Sequence, residues 1–272
     1  MITIANTHQK MDLFSKIVTK KIKESITQQN KDLVNKLIRD GIIEAKSKSA
    51  LALTVLDRGD FCDGSNCYED HPNPIGEDQT ISAPHMHAKA LALLEPKLKH
   101  GSRVLDVGCG SGYLVAAFAY MVKTWKRKGG KVIGIDIIPS LVELSERNIK
   151  KTHKHIMGRN NVILKHEDGW NGYCKYAPYD VIHVGATADT FPIKLWQQLK
   201  PGGRIFIPVG NKSGGTSLMI YDKPKNCPVI DTCGKCNFEE MERICVEGGG
   251  ECFKQKLMDV RYVPLVKRKN QK

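Results

Sequence analysis

Short β-branched runs recur along the chain and alternate with stretches whose apolar positions fall three or four apart. Residues 104–107, 132–135, 162–164, 179–185 and 204–209 read as strands. The run at 179–185 is apolar nearly throughout, the pattern of a strand covered on both faces by helices. Between these runs, residues 114–121, 139 to about 151 and 191–199 read as helices, and Ser140 with Glu143 has the spacing of a capping box. Two further strands, 217–221 and 258–265, close the chain. Strands that alternate with helices and end in a paired set predict an α/β, Rossmann-like fold. Its mostly parallel, doubly wound sheet carries an antiparallel C-terminal strand.

The N-terminal third is less regular. Residues 32–40 read as a helix stopped by Gly41, and Ser47 or Ser49 opens another through Leu56. From 57 to 81 the residues Gly59, Gly64, Pro72, Pro74 and Gly76 predict an irregular loop, long enough to suggest that it works rather than merely connects. It feeds into Ser82, and Pro84 then starts a helix with Leu91, Leu94 and Leu98 on one face, ending near Gly101. The first thirty residues carry an amphipathic stripe of Phe14, Ile17, Val18, Ile22 and Ile26 among lysines. That stripe reads as a helix on the domain, a mobile arm or a mitochondrial presequence. Asp12, Glu24 and the lack of arginine before Arg39 speak against the last. The domain division expected is a basic extension over 1–30, one domain over 31–265 with an insertion at 222–254, and a basic tail over 266–272.

Composition narrows the class. A chain of 272 residues with 41% hydrophobic content can bury one large core, and it contains no apolar run of membrane-spanning length. Nine cysteines, an odd number, predict a reducing compartment and hence the cytoplasm. The net charge of +13 raises nucleic acid as a partner. The lysine clusters, however, sit mostly at helix or chain ends and lack interleaved aromatics apart from Trp125, which favours a solvated basic face attractive to acidic peptides. Cys233 and Cys236 have the spacing of a zinc knuckle. Cys227, Cys245 and Cys252 supply no second pair of that kind, so a surface loop without metal is expected there. Cys62 and Cys67 are left open. His85 and His87 stand two apart with no third ligand in evidence.

The chemistry concentrates where the run VLDVGCGSGY, residues 104–113, turns from strand to helix. Gly108, Gly110 and Gly112 let the backbone turn through positive φ and approach a ligand without a Cβ in the way. The strand at 132–135 ends on Asp136, whose carboxylate can accept from both hydroxyls of a ribose. In a dinucleotide fingerprint the sixth position of the loop is glycine, and here it is Tyr113. Asp106 beneath the loop would repel a diphosphate and attract a cationic amino-acid moiety. S-adenosylmethionine carries an ammonium and a sulfonium and no phosphate. The alternative for Asp106 is to accept hydrogen bonds from the glycine-loop amides. Asp168, beside Gly169, either accepts from an adenine amino group or simply closes an acidic turn.

Further runs carry a resemblance. LDRGDF from Leu56, PIGEDQTISAPHMHA from Pro74, VIGID, EDGWNGY, APYDVIHVGA, LKPGGRIFIPVG and VRYVPL, together with the glycine loop, resemble the protein-L-isoaspartate (D-aspartate) O-methyltransferase family. The likeness spans about 32–265 apart from the insertion. It implies S-adenosylmethionine as cofactor, with S-adenosylhomocysteine as product, and isoaspartyl proteins and peptides as partners of a monomeric enzyme. Ser82 matches the serine taken as the active-site residue. Gln79, Thr80, Ile81 and Ser82 match the cofactor-lining segment, His87 a histidine near the cofactor, and Asp106, Asp136 with Ile137, and Asp168 with Gly169 the remaining contacts. Gln271 matches a glutamine of a C-terminal segment that folds back on the cofactor. Val266 stands where some relatives have threonine.

The implied reaction agrees with the residue inventory. The free α-carboxylate of an isoaspartyl residue has a pKa of about 3.5 and is ionised at neutral pH, so transfer from a sulfonium needs placement rather than a general base. The resemblance further implies that the methyl ester collapses to a succinimide and so begins repair. Ser82 suits a donor that orients the carboxylate; one residue before Ala83-Pro84, it also suits a helix N-cap. Amino-group methylation of bases uses an Asn/Asp-Pro-Pro-aromatic turn, where this chain has His183-Val184-Gly185-Ala186. A cytosine-C5 enzyme would need a Pro-Cys nucleophile, which is absent. A non-catalytic relative that keeps the fold as a binding module is the other reading, opposed by the intact Ser82, Asp106, Asp136 and VRYVPL.

Overall fold

The computed structural model describes residues 26–211, 215–227 and 253–266. Its central sheet has seven strands in the order β5-β4-β3-β6-β7-β8-β9. These are β3 (Arg103–Val107), β4 (Lys131–Asp136), β5 (Val162–His166), β6 (Tyr179–Val184), β7 (Leu199–Asn211), β8 (Gly215–Asp222) and β9 (Phe253–Val260). The pairs from β5 through β7 are parallel, and β8 and β9 extend the sheet antiparallel. A separate two-stranded hairpin joins β1 (Asn73–Gly76) to β2 (Gln79–Ile81). The expected α/β class and parallel sheet are thus present, with two antiparallel strands rather than one at the C-terminal side.

Period-two alternation assigns the side chains of each parallel strand to one of two cores. Val104, Val132, Val162, Val181 and Phe206 pack with α1 (Gln28–Arg39), α2 (Lys48–Val55), α3 (Pro84–Leu94) and α4 (Tyr113–Val122). Leu105, Val107, Ile133, Ile135, Ile182, Val184, Ile205 and Ile207 face the other way with Leu195 and Trp196 of α6 (Ile193–Gln197). Helix α5 (Pro139–His153) follows β4 and buries Leu141, Ser145, Ile149 and His153. Strands covered on both faces need apolar residues at nearly every position, which is why β6 reads as a continuous apolar run.

Several local expectations are corrected. The helix expected over 32–40 starts at Gln28, capped by Thr27, whose side chain accepts from the Asn30 amide. Ser47, not Ser49, caps α2. The supposed irregular loop of 57–81 contains a 3-10 turn at Arg58–Asp60 and the β1–β2 hairpin, whose turn places Glu77 and Asp78 at positive φ. The capping box at Ser140 does not form: Ile138 is the cap, Pro139 opens the helix, and the Ser140 hydroxyl donates to Glu77 of the hairpin at 2.8 Å. Helix α3 ends at Leu94, so Leu98 lies beyond a following 3-10 turn. Cys62 and Cys67 form a disulfide, which removes the cysteine-count argument for a reducing compartment. Among the described residues no helix is long and apolar enough to cross a membrane. The Cys233–Cys236 knuckle, Gln271 and the stripe from Phe14 to Ile22 lie outside the described residues.

Candidate active site

The carboxyl ends of β3, β4 and β6 open into one crevice, where a ligand of such a sheet sits. Two lobes meet there and share Thr80, Gly108, Gly110 and Gly185. Ile81, Ser82, His87, Asp106, Tyr113 and His183 line the first lobe. Gln79, Ile135, Asp136, Ile137, Gly169 and Leu265 are among those lining the second.

The glycine loop is held from both sides. Gly108 and Cys109 donate their amides to the Ile135 carbonyl at 2.8 and 3.0 Å, while Ser145 and Asn148 of α5 donate to the carbonyls of Gly110 and Ser111 at 2.7 and 3.0 Å. Gly112 sits at φ 85°, and a Cβ there would meet the Ser145 backbone at 3.0 Å. Only glycine fits both demands. Ile75 of the hairpin lies 3.2 Å from where a Cβ of Gly110 would project, so β1–β2 closes over the loop.

Two buried carboxylates face this loop and are occupied differently. Asp136 accepts from the amides of Gly110 and Ile138 at 3.0 and 3.1 Å. Burial raises its pKa, and those amide bonds oppose the rise. Asp106, proposed from sequence either to face a cation or to satisfy the loop amides, does not take the second role. Its Oδ1 lies 2.7 Å from His183 Nδ1. The pair follows from register: Asp106 and His183 are direct neighbours on β3 and β6, and His183 stacks on Phe206, its neighbour on β7.

Ser82 is half-buried and lines the first lobe. It is not a helix cap, since Ala83 holds that position without a side-chain bond. The nearby Tyr262 phenol is pushed up to about 12 by burial, and Ser82 opposes that rise. His87, one turn into α3, is held well below the ordinary histidine range by burial and by the Arg58 charge, and is therefore neutral. Burial raises the Cys109 thiol well above its usual range, so this cavity cysteine stays protonated and is no nucleophile. His85 instead turns outward to Asp70 at 2.8 Å.

The C-terminal segment crosses the second lobe. Thr187 donates to the Val263 carbonyl and accepts from the Leu265 amide, each at 2.7 Å, and Trp170 Nε1 donates to the Leu265 carbonyl at 3.0 Å. Gly169 is pinned beneath it: a Cβ there would meet Val107 Cγ1 at 2.6 Å and Leu265 Cδ1 at 2.8 Å. Asp168 caps the short turn after β5 by accepting from the Trp170 amide at 2.9 Å. Thus Gln79, Thr80, Ile81, Ser82, His87, Asp106, Gly108, Gly110, Asp136, Ile137 and Gly169 meet around one cavity. Gly112 and Asp168 line neither lobe: the first caps α4 and the second caps the short turn that carries Gly169. Sequence reasoning missed His183, Tyr262 and Arg58. For His183 a signal existed, because alternation along β3 and β6 sends it to the same face as Asp106.

The crevice fits a cationic nucleoside. Among the described residues no lysine or arginine lines either lobe, two carboxylates do, and the positive-φ glycines leave backbone exposed to a ligand. A diphosphate would meet Asp106 and Asp136 with no compensating charge.

Comparison with known proteins agrees with this chemistry. Residues 28–241 match the family described as Protein-L-isoaspartate(D-aspartate) O-methyltransferase (PCMT). A protein-L-isoaspartate O-methyltransferase of Caenorhabditis elegans is 44% identical over 194 residues, covering 71% of this chain and 84% of that protein. Protein-L-isoaspartate O-methyltransferase 1 of Arabidopsis thaliana is 46% identical over 201 residues, 73% of this chain and 84% of its own length. A crystal structure from Plasmodium falciparum, described as a protein-L-isoaspartate O-methyltransferase in complex with S-adenosyl-L-homocysteine, aligns with a TM-score of 0.72. It is 31% identical and covers 88% of this chain and 99% of that one.

Proposed function

The chain belongs to the protein-L-isoaspartate(D-aspartate) O-methyltransferase family, and from that premise we infer that it methylates the free carboxylate of L-isoaspartyl, and also D-aspartyl, residues in damaged proteins and peptides. The ester so formed starts repair through a succinimide. S-adenosylmethionine, when bound, supplies an electrophilic methyl group on a sulfonium. In this reading Asp136 and Ile137 hold the ribose, Asp168 and Gly169 face the adenine, and Asp106 with the loop of Gly108, Gly110 and Gly112 receives the amino-acid end. Gln79, Thr80, Ile81 and His87 complete the lining.

Ser82 is the residue assigned to the reacting carboxylate, as a hydroxyl donor that aims one oxygen at the methyl group. No residue has to remove a proton, since the substrate arrives ionised. The contribution of the protein is orientation and exclusion of water, in a site whose dipoles are set before the reaction. The observation that carries this reading is the joining of an acid-lined nucleoside lobe to a serine-bearing lobe at Thr80. A peptide substrate and a monomeric enzyme belong to the same proposal. Gly185-Ala186 after β6 supports peptide over nucleobase, because that position offers no aromatic platform for a flipped base.

The test is methyl labelling of an isoaspartyl peptide beside its aspartyl isomer. Labelling of the first alone is expected, and equal labelling of both, or preferential labelling of RNA or DNA, refutes the proposal. Ser82→Ala should lower kcat by about a hundredfold to a thousandfold, the scale of losing one preorganised donor, with adenosylhomocysteine affinity nearly unchanged.

A further inference from the structure

Arg58 is fully buried one layer behind the serine-bearing lobe. Its Nε donates to the Cys67 carbonyl at 2.7 Å, its Nη2 to the Ser82 carbonyl at 2.8 Å, and its Nη1 approaches His87 Nδ1 at 3.5 Å. The guanidinium also lies over the Tyr113 ring, 5.7 Å from its centroid. Among the described residues no carboxylate comes within ion-pair distance of it. Burying a cation without a counter-ion is costly, yet the fold builds a mount for this one. Asp57 caps its 3-10 turn, the Arg58 amide donates to Asn30 Oδ1 at 3.1 Å, and buried Asn30 donates in turn to the Leu53 carbonyl at 3.1 Å.

The crevice is therefore polarised. Asp136 lines the far lobe, Asp106 in the serine-bearing lobe is bonded to His183, and Arg58 sets a cation behind Ser82, His87 and Tyr113. His87 and Tyr113 add no charge of their own near neutral pH, because burial keeps the first neutral and pushes the second up to about 12. A carboxylate arriving at Ser82 would meet, one layer behind the Ser82 carbonyl, a buried cation that holds no carboxylate partner among the described residues.

We propose that Arg58 is a positioning and specificity residue: its fork fixes the Ser82 segment through the Ser82 carbonyl, and its unpaired charge selects an ionised group at Ser82 over a neutral one. The proposal rests on the methyl-transfer reading above. Transfer breaks the S–CH3 bond of the sulfonium, whose electron pair stays on sulfur as the thioether, and forms a CH3–O bond from a carboxylate lone pair to give the ester, so the anionic charge fades as the new bond forms. A cation in direct contact with the carboxylate would stabilise the starting state more than the transition state. Set behind Ser82, the charge aids capture without clamping the reacting oxygen. Charge at Arg58 thus belongs to KM for the peptide, and fork geometry belongs to kcat.

Two variants separate these roles. Arg58→Gln removes the charge and should raise the KM for an isoaspartyl peptide on the order of tenfold, the scale of one charge interaction at protein-like screening. Arg58→Lys keeps the charge and loses the fork, so kcat should fall while the peptide KM stays near that of the unaltered protein. Adenosylhomocysteine binding by calorimetry reports folding and should be retained in both. An unchanged peptide KM in Arg58→Gln, or equal rises in the two variants, overturns the proposal. Should Arg58→Gln bind no adenosylhomocysteine, competition on the unaltered enzyme decides between isoaspartyl peptide and its α-carboxamide analogue. Roughly tenfold preference for the carboxylate supports the proposal, and equal inhibition sinks it. Absence of turnover in the unaltered enzyme would instead condemn the methyl-transfer reading, so the two failures are distinguishable.

Discussion

Acid should unfold this protein through His153 before its surface carboxylates matter. His153, at the end of α5, is buried, stacks on Phe61, and has Nδ1 3.0 Å from the Tyr120 hydroxyl; its Nε2 has no partner. His155 Nε2 lies 3.2 Å from the same hydroxyl. Burial lowers His153 from 6.5 to about 4, with the neighbouring His155 adding to the fall. The sign follows from linkage. Below its unfolded pKa the unfolded chain binds the proton and the native state refuses it, so stability is lost as pH drops through about 6.5 and the loss levels off below about 4. A depression of that size is worth about 3 kcal/mol in full, and about 2 kcal/mol of it appears between about pH 7 and pH 5. The assay is urea unfolding of the unaltered protein and His153→Gln at those two pH values, with stability from linear extrapolation. Glutamine keeps a hydrogen-bonding group near Tyr120 without a titrating ring. The variant should lose about 2 kcal/mol less on acidification. Equal losses in the two proteins would refute the reasoning.

Two other outcomes are expected. Asp136→Asn exchanges an anionic acceptor of the Gly110 and Ile138 amides for a neutral amide. It should weaken adenosylhomocysteine binding by about tenfold to a hundredfold in calorimetry, the scale of a hydrogen bond to a charged group. Gly169→Ala drives a methyl against Val107 and Leu265 and should lower stability by about 1–3 kcal/mol, as overpacking does; an unchanged melting temperature would show that the C-terminal segment yields freely.

What could be read from sequence was local. The strand, glycine turn and helix of 103–122 are set by neighbours a few residues apart, and Asp136 follows from the end of a strand. The distant partnerships were not legible. Asp106 meets His183 across 77 residues and Arg58 reaches Ser82 across 24, and only sheet register or packing brings them together. The β1–β2 hairpin was hidden for a different reason. Its turn uses Glu77 and Asp78 at positive φ, where Asn-Gly or Asp-Gly would have announced it. Ser140 carried the letters of a capping box, yet Pro139 had already opened the helix, and the serine was free to tie the hairpin down instead.

The antiparallel end of the sheet separates growth from chemistry. Strand β8 runs away from the crevice and stops at Asp222, which pairs in register with Arg204 and Phe253 and holds Arg204 through two bonds of 2.6 and 2.7 Å. The chain thus leaves β8 at the end of the sheet away from the crevice, and β9 carries it back up to lay VPL across the nucleoside lobe. The two bonds between Arg204 and Asp222 brace that far edge, so a change made there reaches the roof over the donor only by way of β9.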